Sequence, residues 1–369
     1  MQIKQYPFYF KATVILFGII LFIFCLSTLR DVLVPLAFAA VISILLNPLF
    51  NRLQKRKVPR VLAIIIVLLL AFIVITAVMY FLSTQIARFS DSFPLLKQKF
   101  QSMTNDSAKW LQDKYGIGIK KQMEMLQQAG EKGKALLGQT VTTLLGTLGL
   151  VFLIPVYVFL LLFYKPLILN FVFEVFAEEN SKQVAEILKQ TKSSIQSYMI
   201  GLLLEALVVA ILNSSALMLL GVKYAILLGV IGALLNMLPY IGGIVAIALP
   251  VLIATVTKDG YTTQLGVIAA YLIIQFIDNN ILVPRIVSSK VQINALISIL
   301  VVLLGGTLWG ISGMFLSIPF VAILKIIFDR IDGLKPWGKL LGDEVPTRHK
   351  GEIWNRIRRR PSVSEKVVS

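Results

Sequence analysis

Cysteine and histidine are almost missing from this chain, which holds only Cys25 and His349. One cysteine closes no intrachain disulfide, and the pair is too small for a metal cluster, so a disulfide scaffold and a structural zinc site are excluded. The histidine sits in a polar tail, where it completes no serine–histidine arrangement. There is no phosphate loop and no histidine pair. Nothing supports catalysis: the chain is not read as an enzyme, no cofactor is implied, and an ATP-driven pump is excluded for this chain alone. Charge is also scarce, at 15% Asp, Glu, Lys and Arg, where soluble domains carry about 25%. The regular apolar–polar alternation of a membrane β-barrel, in segments of about ten residues, is missing too.

What fills the chain is apolar. The hydrophobic fraction is 57% and the mean hydropathy +0.82. The apolar residues fall in runs of about 18 to 25, long enough to cross about 30 Å of hydrocarbon. The fold class is therefore all-α, a polytopic integral membrane protein. Full transmembrane helices are expected over 12–29, 32–50, 61–82, 141–164, 200–221 and 262–283. The formal net charge of +17 does not point to nucleic acid, because the basic residues lie between and after these spans, where topology requires them.

The densest short basic cluster is Arg52, Lys55, Arg56, Lys57 and Arg60. By the positive-inside rule this loop is cytoplasmic, and so are both termini. The expected organisation runs from N-terminal spans (1–83) to a small extracytoplasmic helical subdomain (84–139), whose apolar residues recur at helical spacing. A fourth span (140–165) and an amphipathic cytoplasmic linker (166–199) follow, the linker suited to lie along the membrane surface or pack on a partner. The core covers 200–330 and a basic cytoplasmic tail 331–369.

The core is organised by two interrupted segments, 225–256 and 293–328. The first is broken at Leu238-Pro239-Tyr240-Ile241-Gly242-Gly243 and the second at Gly305-Gly306-Thr307. Non-helical backbone at membrane depth survives only where protein or a water-filled cavity satisfies its polar groups. Paired broken segments therefore mark a transporter's binding site. Should both re-enter the membrane, their tips would approach near the midplane. Ile241-Gly242-Gly243-Ile244 with Pro250 and Ile311-Ser312-Gly313-Met314 with Pro319 suggest a weak internal repeat.

Asn236, Tyr240, Asp278, Asn279 and Asn280 place amide, hydroxyl and carboxylate groups beside the broken backbone. That inventory suits a small polar solute or a partly dehydrated monovalent cation, although Asn279 and Asn280 would equally serve to cap a helix end before Pro284. Asp278 and Glu205 are the intramembrane carboxylates and the candidates for proton or cation coupling, since such residues usually face protein or water. Contact of Asp278 with a basic neighbour such as Arg285 is the plainer alternative, and an interfacial position is the plainer one for Glu205. Pro239, Gly242, Gly243, Gly305 and Gly306 are read as shape-setting hinges, with Gly306 and Gly310 also spaced for close helix packing.

Pro239-Tyr240-Ile241-Gly242, Asp278-Asn279-Asn280 with Pro284, and Gly305-Gly306 through Gly310, Gly313-Met314 and Pro319 resemble, in order and spacing, the autoinducer-2 exporter family. The resemblance covers almost the whole chain. It implies a bacterial inner-membrane permease that assembles as a homo-oligomer. Different members look like exporters of the quorum-sensing signal autoinducer-2 or like sodium(lithium)/proton antiporters. Glu205 is not part of the family pattern. The leading expectation is export of a small polar solute by alternating access; antiport is the alternative, and a non-transporting membrane scaffold the second one.

Overall fold

The computed structural model describes residues 7–115, 148–176, 181–237, 242–258, 260–287 and 293–343. Pro239 and Tyr240, most of the basic tail and the second half of the extracytoplasmic subdomain lie outside these residues. The described chain is helical, with one isolated antiparallel bridge between Ile293 and Gly342. Six of its helices are long and apolar enough to cross a membrane.

Helices α1 (Phe8–Thr28) and α2 (Arg30–Lys55) are separated by Leu29 alone, and no residue of α1 is buried. Helix α3 (Arg60–Tyr115) begins directly after the basic loop. At 1.5 Å per residue it is about 84 Å long, so it leaves the membrane and continues well beyond it. The subdomain expected from residue 84 thus starts as an unbroken extension of the third span. Helix α4 (Leu148–Phe163) contains Pro155. It meets α5 (Lys165–Val175) at a 63° bend. Pro166 lies in the first turn of α5, where a proline's missing N–H is harmless but a continuous helix is disfavoured. Leu167, Phe171 and Val175 of α5 are all exposed.

Helix α6 runs unbroken over Ser181–Leu219, so the amphipathic linker expected over 166–199 is divided: its first part is α5, and from residue 181 it is one rod with the span expected from residue 200. Its buried stripe includes Tyr198, Leu202, Glu205, Val209, Asn213 and Leu217, the three- and four-residue spacing of one helix face. Helices α7 (Ala225–Asn236) and α8 (Gly242–Thr257) form the first broken pair. They are about 18 and 24 Å long, short of a full crossing. Gly229 brings α7 against α6: a Cβ there would lie 2.3 Å from Ser214 Oγ and 2.5 Å from its backbone nitrogen.

Helix α9 (Thr262–Ile277) passes into a π-helical segment, Asp278–Val287. Pro284 lies within it; it donates no hydrogen bond and its ring crowds the carbonyl one turn back, which disfavours tight α-helical winding. Asn279 and Asn280 therefore lie inside a widened helix rather than capping an end.

Helix α10 (Ala295–Arg330) is two helices, and its break corrects the expected position. Gly305 and Gly306 are helical; the chain turns at Trp309 and Gly310, where Gly310 has φ 62°. Only glycine adopts that conformation without steric cost. The arms, 295–308 and 311–330, fold against each other through bare backbone. A Cβ on Gly305 would stand 2.5 Å from Gly313 O, and one on Gly313 1.9 Å from Gly305 O. Gly306 also packs closely, since a Cβ there would come 2.7 Å from the end of the Met314 side chain, whereas nothing lies within 4 Å of one at Gly310. The Trp309 indole donates to Leu26 O of α1 over 3.0 Å. The turn consequently sits level with the α1–α2 connection, at the far end of a full-length span from Phe8. Short α11 (Lys335–Leu341) closes the base, where Asn294 donates to Leu340 O and Gly342 O.

Candidate functional site

Two of the buried polar residues of the core meet at one place. Asp278 is 2% exposed and Asn213 equally so. Both line a cavity together with Val209, Gly232, Asn236, Ala246, Tyr271, Ile274 and Gln275. These residues come from α6, α7, α8, α9 and the π-helix, so the cavity lies where the first broken pair packs into the core. Its free volume is about 10 Å³, close to the least that holds one water molecule.

The spacing of Tyr271, Gln275 and Asp278 puts three polar side chains on one face of an otherwise apolar helix. At the inner end of α7, Asn236 Nδ2 donates to Asp278 Oδ2 over 2.8 Å. Gln275 Nε2 donates to the same oxygen at 3.5 Å and to Asn279 Oδ1 at 3.3 Å. Asp278 Oδ1, Tyr271 Oη and Asn213 Oδ1 are buried and find no hydrogen-bond partner among the described residues. A buried polar atom without a partner costs about 1–3 kcal/mol. Of these, Asp278 Oδ1 and Asn213 Oδ1 accept, while the Tyr271 phenol accepts and also carries one proton to donate, so acceptors outnumber donors around one small space. A water molecule, a hydronium ion or a small monovalent cation suits such a socket.

Glycines set the approach distances. A Cβ on Gly232 would come 3.3 Å from Asn213 Nδ2 and 3.5 Å from Tyr271 Oη. One on Gly243 would come 3.0 Å from Gln275 Oε1. Gly242 opens α8 just beyond the break.

Glu205 is also buried, at 6% exposure, and lies within electrostatic reach of Asp278. Neither carboxylate is in an ion pair among the described residues. This corrects the simpler expectations that Arg285 neutralises Asp278 and that Glu205 sits in interfacial water. Arg285 is exposed, as are Asn279 and Asn280. The Asn280 side chain is tied to Phe276 O at 2.8 Å. Pro284, likewise exposed, shapes the π-helix, and Gly305 and Gly306 belong to the α10 hairpin, away from the cavity lining. Asn213, Gly232, Tyr271 and Gln275 were not among the candidates from sequence. The signal for them was present in the stripes Glu205–Val209–Asn213 and Tyr271–Gln275–Asp278.

A family model for AI-2E family transporters matches residues 13–333. The chain belongs to that family. Among its relatives, the AI-2 transport protein TqsA of Escherichia coli is 25% identical over 333 residues, covering 89% of this chain and 95% of TqsA. The putative transport protein YrrI of Bacillus subtilis is 26% identical over 309 residues, covering 81% and 86%. Putative permease PerM of Escherichia coli is 31% identical over 175 residues, about half of each chain. The family assignment and the spans agree that this is a multi-pass membrane transporter.

Proposed function

We propose that this AI-2E family member moves a small polar solute across the membrane by alternating access, and that Asp278 couples the movement to a proton or monovalent cation. One observation carries the reading: two buried carboxylates without a cationic partner, Asp278 and Glu205, share a core in which Asp278 faces an acceptor-rich cavity. Charge without a partner in a membrane interior is costly, and such residues mark pathways. A mobile cation offsets that cost only while it is bound, which makes the site a coupling device. The 10 Å³ cavity is too small for a solute of several heavy atoms. Solute passage therefore requires the end of α7 to withdraw, breaking the Asn236–Asp278 hydrogen bond.

The name of TqsA supports a solute of the autoinducer-2 class, moved outward. The size of the cavity favours a second reading, sodium(lithium)/proton antiport, in which the cation is itself the cargo. The positive-inside rule supports a cytoplasmic basic loop with both termini inside an inner membrane; the resemblance of the chain to its family supports a homo-oligomer.

Flux into proteoliposomes with and without an imposed pH gradient tests the proposal. Gradient-driven movement of autoinducer-2, lost in Asp278→Asn, supports coupled export. Sodium- or lithium-dependent proton release without solute flux supports antiport. An Asp278→Asn protein with unchanged flux and unchanged pH dependence overturns the assignment of this site.

A further inference from the structure

At the membrane face that carries the basic loop, the protein holds a cluster of opposite character to the Asp278 cavity. Arg60 opens α3, Lys165 opens α5, and Lys192 lies on α6. All three are half-buried. Arg60 reaches the carbonyl of Leu162, three residues before Lys165, which sets these two cations side by side, and the charge of Lys192 also acts on Lys165. None of the three makes an ion pair among the described residues. Like charges gathered out of water repel one another strongly unless something neutralises them.

Lys165 Nζ donates to Asn47 Oδ1 over 2.9 Å. A lysine ammonium has no acceptor, so this contact fixes which end of the Asn47 amide faces it. The Nδ2 end of Asn47 is then left over: it is buried without a partner, on a residue only 3% exposed. Arg60 behaves similarly. Its guanidinium lies 5.5 Å from the Phe163 ring centre, and one Nη donates to Leu162 O at 3.0 Å. Its Nε is buried and unpartnered. The N-terminus of α5 adds a further positive end, because the Tyr164 side chain caps nothing and the first turn holds no acidic residue. Helix N-termini favour anions and normally carry acidic residues there. Here a lysine occupies that place instead.

We propose that Arg60, Lys165, Lys192 and Asn47 Nδ2 form a binding site for a phosphate-class anion, either the phosphodiester of a phospholipid headgroup or free phosphate. The donor set is the converse of the acceptor set at Asp278: three cations and two idle N–H groups, with no carboxylate paired to them among the described residues. Tyr164 and Leu167 beside it are exposed, which would leave room for the glycerol and acyl portions of a lipid. The bound anion would tie α2, α3, α5 and α6 together beside the bend between α4 and α5.

The test uses the full chain, purified and delipidated in a non-ionic detergent. Melting temperature and bound phosphorus per protomer are measured with inorganic phosphate, with phosphatidylglycerol, and with a phosphate-free monoacylglycerol. A rise with phosphate alone assigns a free anion; a rise with phosphatidylglycerol only assigns a lipid headgroup. An equal rise with monoacylglycerol, or none with any probe, overturns the proposal. Arg60→Gln with Lys165→Gln should weaken phosphorus retention at least tenfold. Should that protein fail to fold, Lys192→Glu gives an independent reading, since it supplies an internal anion. It should melt higher than the parent without added phosphate and no longer respond to either phosphorus probe. A parental response from Lys192→Glu overturns the site.

Discussion

Asn236 Nδ2 lies 2.8 Å from Asp278 Oδ2, joining the inner end of α7 to the point where α9 widens into a π-helix. Two breaks in helical geometry, far apart in sequence, thus meet at one carboxylate. π-Helical segments are rare and concentrate at functional sites. The bond makes the tip of α7 and the charge state of Asp278 interdependent: that tip cannot withdraw without costing the oxygen its 2.8 Å donor.

Asn236→Leu should therefore loosen the tip. A hydrogen bond to a charged group contributes about 1.5–3 kcal/mol, so the closed arrangement should lose roughly tenfold or more in population. Hydrogen exchange at 225–236 is expected to accelerate, and the pH dependence of flux to shift. Unchanged exchange would mean that packing alone holds the tip.

Gly232→Ala tests the cavity itself. Its methyl would arrive 3.3–3.5 Å from Asn213 Nδ2, Ala246 Cβ and Tyr271 Oη, distances that small side-chain shifts accommodate. Overpacking costs about 1–3 kcal/mol. The variant should fold and melt within a few degrees of the parent, yet lose most of its cation or proton coupling, because the space for the coupling species is filled. Full coupling in this variant would place that species elsewhere.

The sequence makes the spans legible because the hydrocarbon thickness and the helix rise leave little choice of length. It also makes the first break legible, since Pro239 and Gly242-Gly243 punctuate an apolar run. The second break was misplaced for a physical reason: adjacent glycines read as a turn, but Gly305 is a contact residue and the backbone needs its positive φ only at Gly310. Of the site, Asp278 and Asn236 were legible as polar residues beside a break. Asn213, Tyr271 and Gln275 were not, because a single amide or phenol in an apolar helix also fits an ordinary interhelical hydrogen bond. Only the tertiary placement shows that Asn213 Oδ1, Tyr271 Oη and Asp278 Oδ1 share one enclosed space without a partner among the described residues.

Gly313→Ala should be among the most damaging small substitutions in the chain. The new Cβ would sit 1.9 Å from Gly305 O, a carbonyl of a helix backbone that has no flexible end to move aside. The α10 arms must splay, exposing Ser317 and Leu316, which are buried now. Gly333→Ala provides the comparison, since a Cβ there meets nothing within 4 Å. Melting in detergent should fall by many degrees for Gly313→Ala and hardly at all for Gly333→Ala; similar curves for the two would contradict the backbone contact.

Trp309→Phe isolates the link between the α10 turn and the end of α1. The ring is kept, along with its edge contact to Phe320 at 6.2 Å, while the indole donor to Leu26 O is removed. Leu26 lies in the last turn of α1, where carbonyls have no intrahelical partner and an external donor acts as a cap. A neutral hydrogen bond contributes about 0.5–1.5 kcal/mol, so overall melting should shift only slightly. The local effect is larger in proportion, because among the described residues few other contacts join α1 to α10. Cysteines at Leu26 and Thr307 in the same background should cross-link more slowly and over a wider range of linker lengths than in the parent. An unaltered cross-linking profile would show that α1 and the turn are held by packing, and that the indole merely fills space.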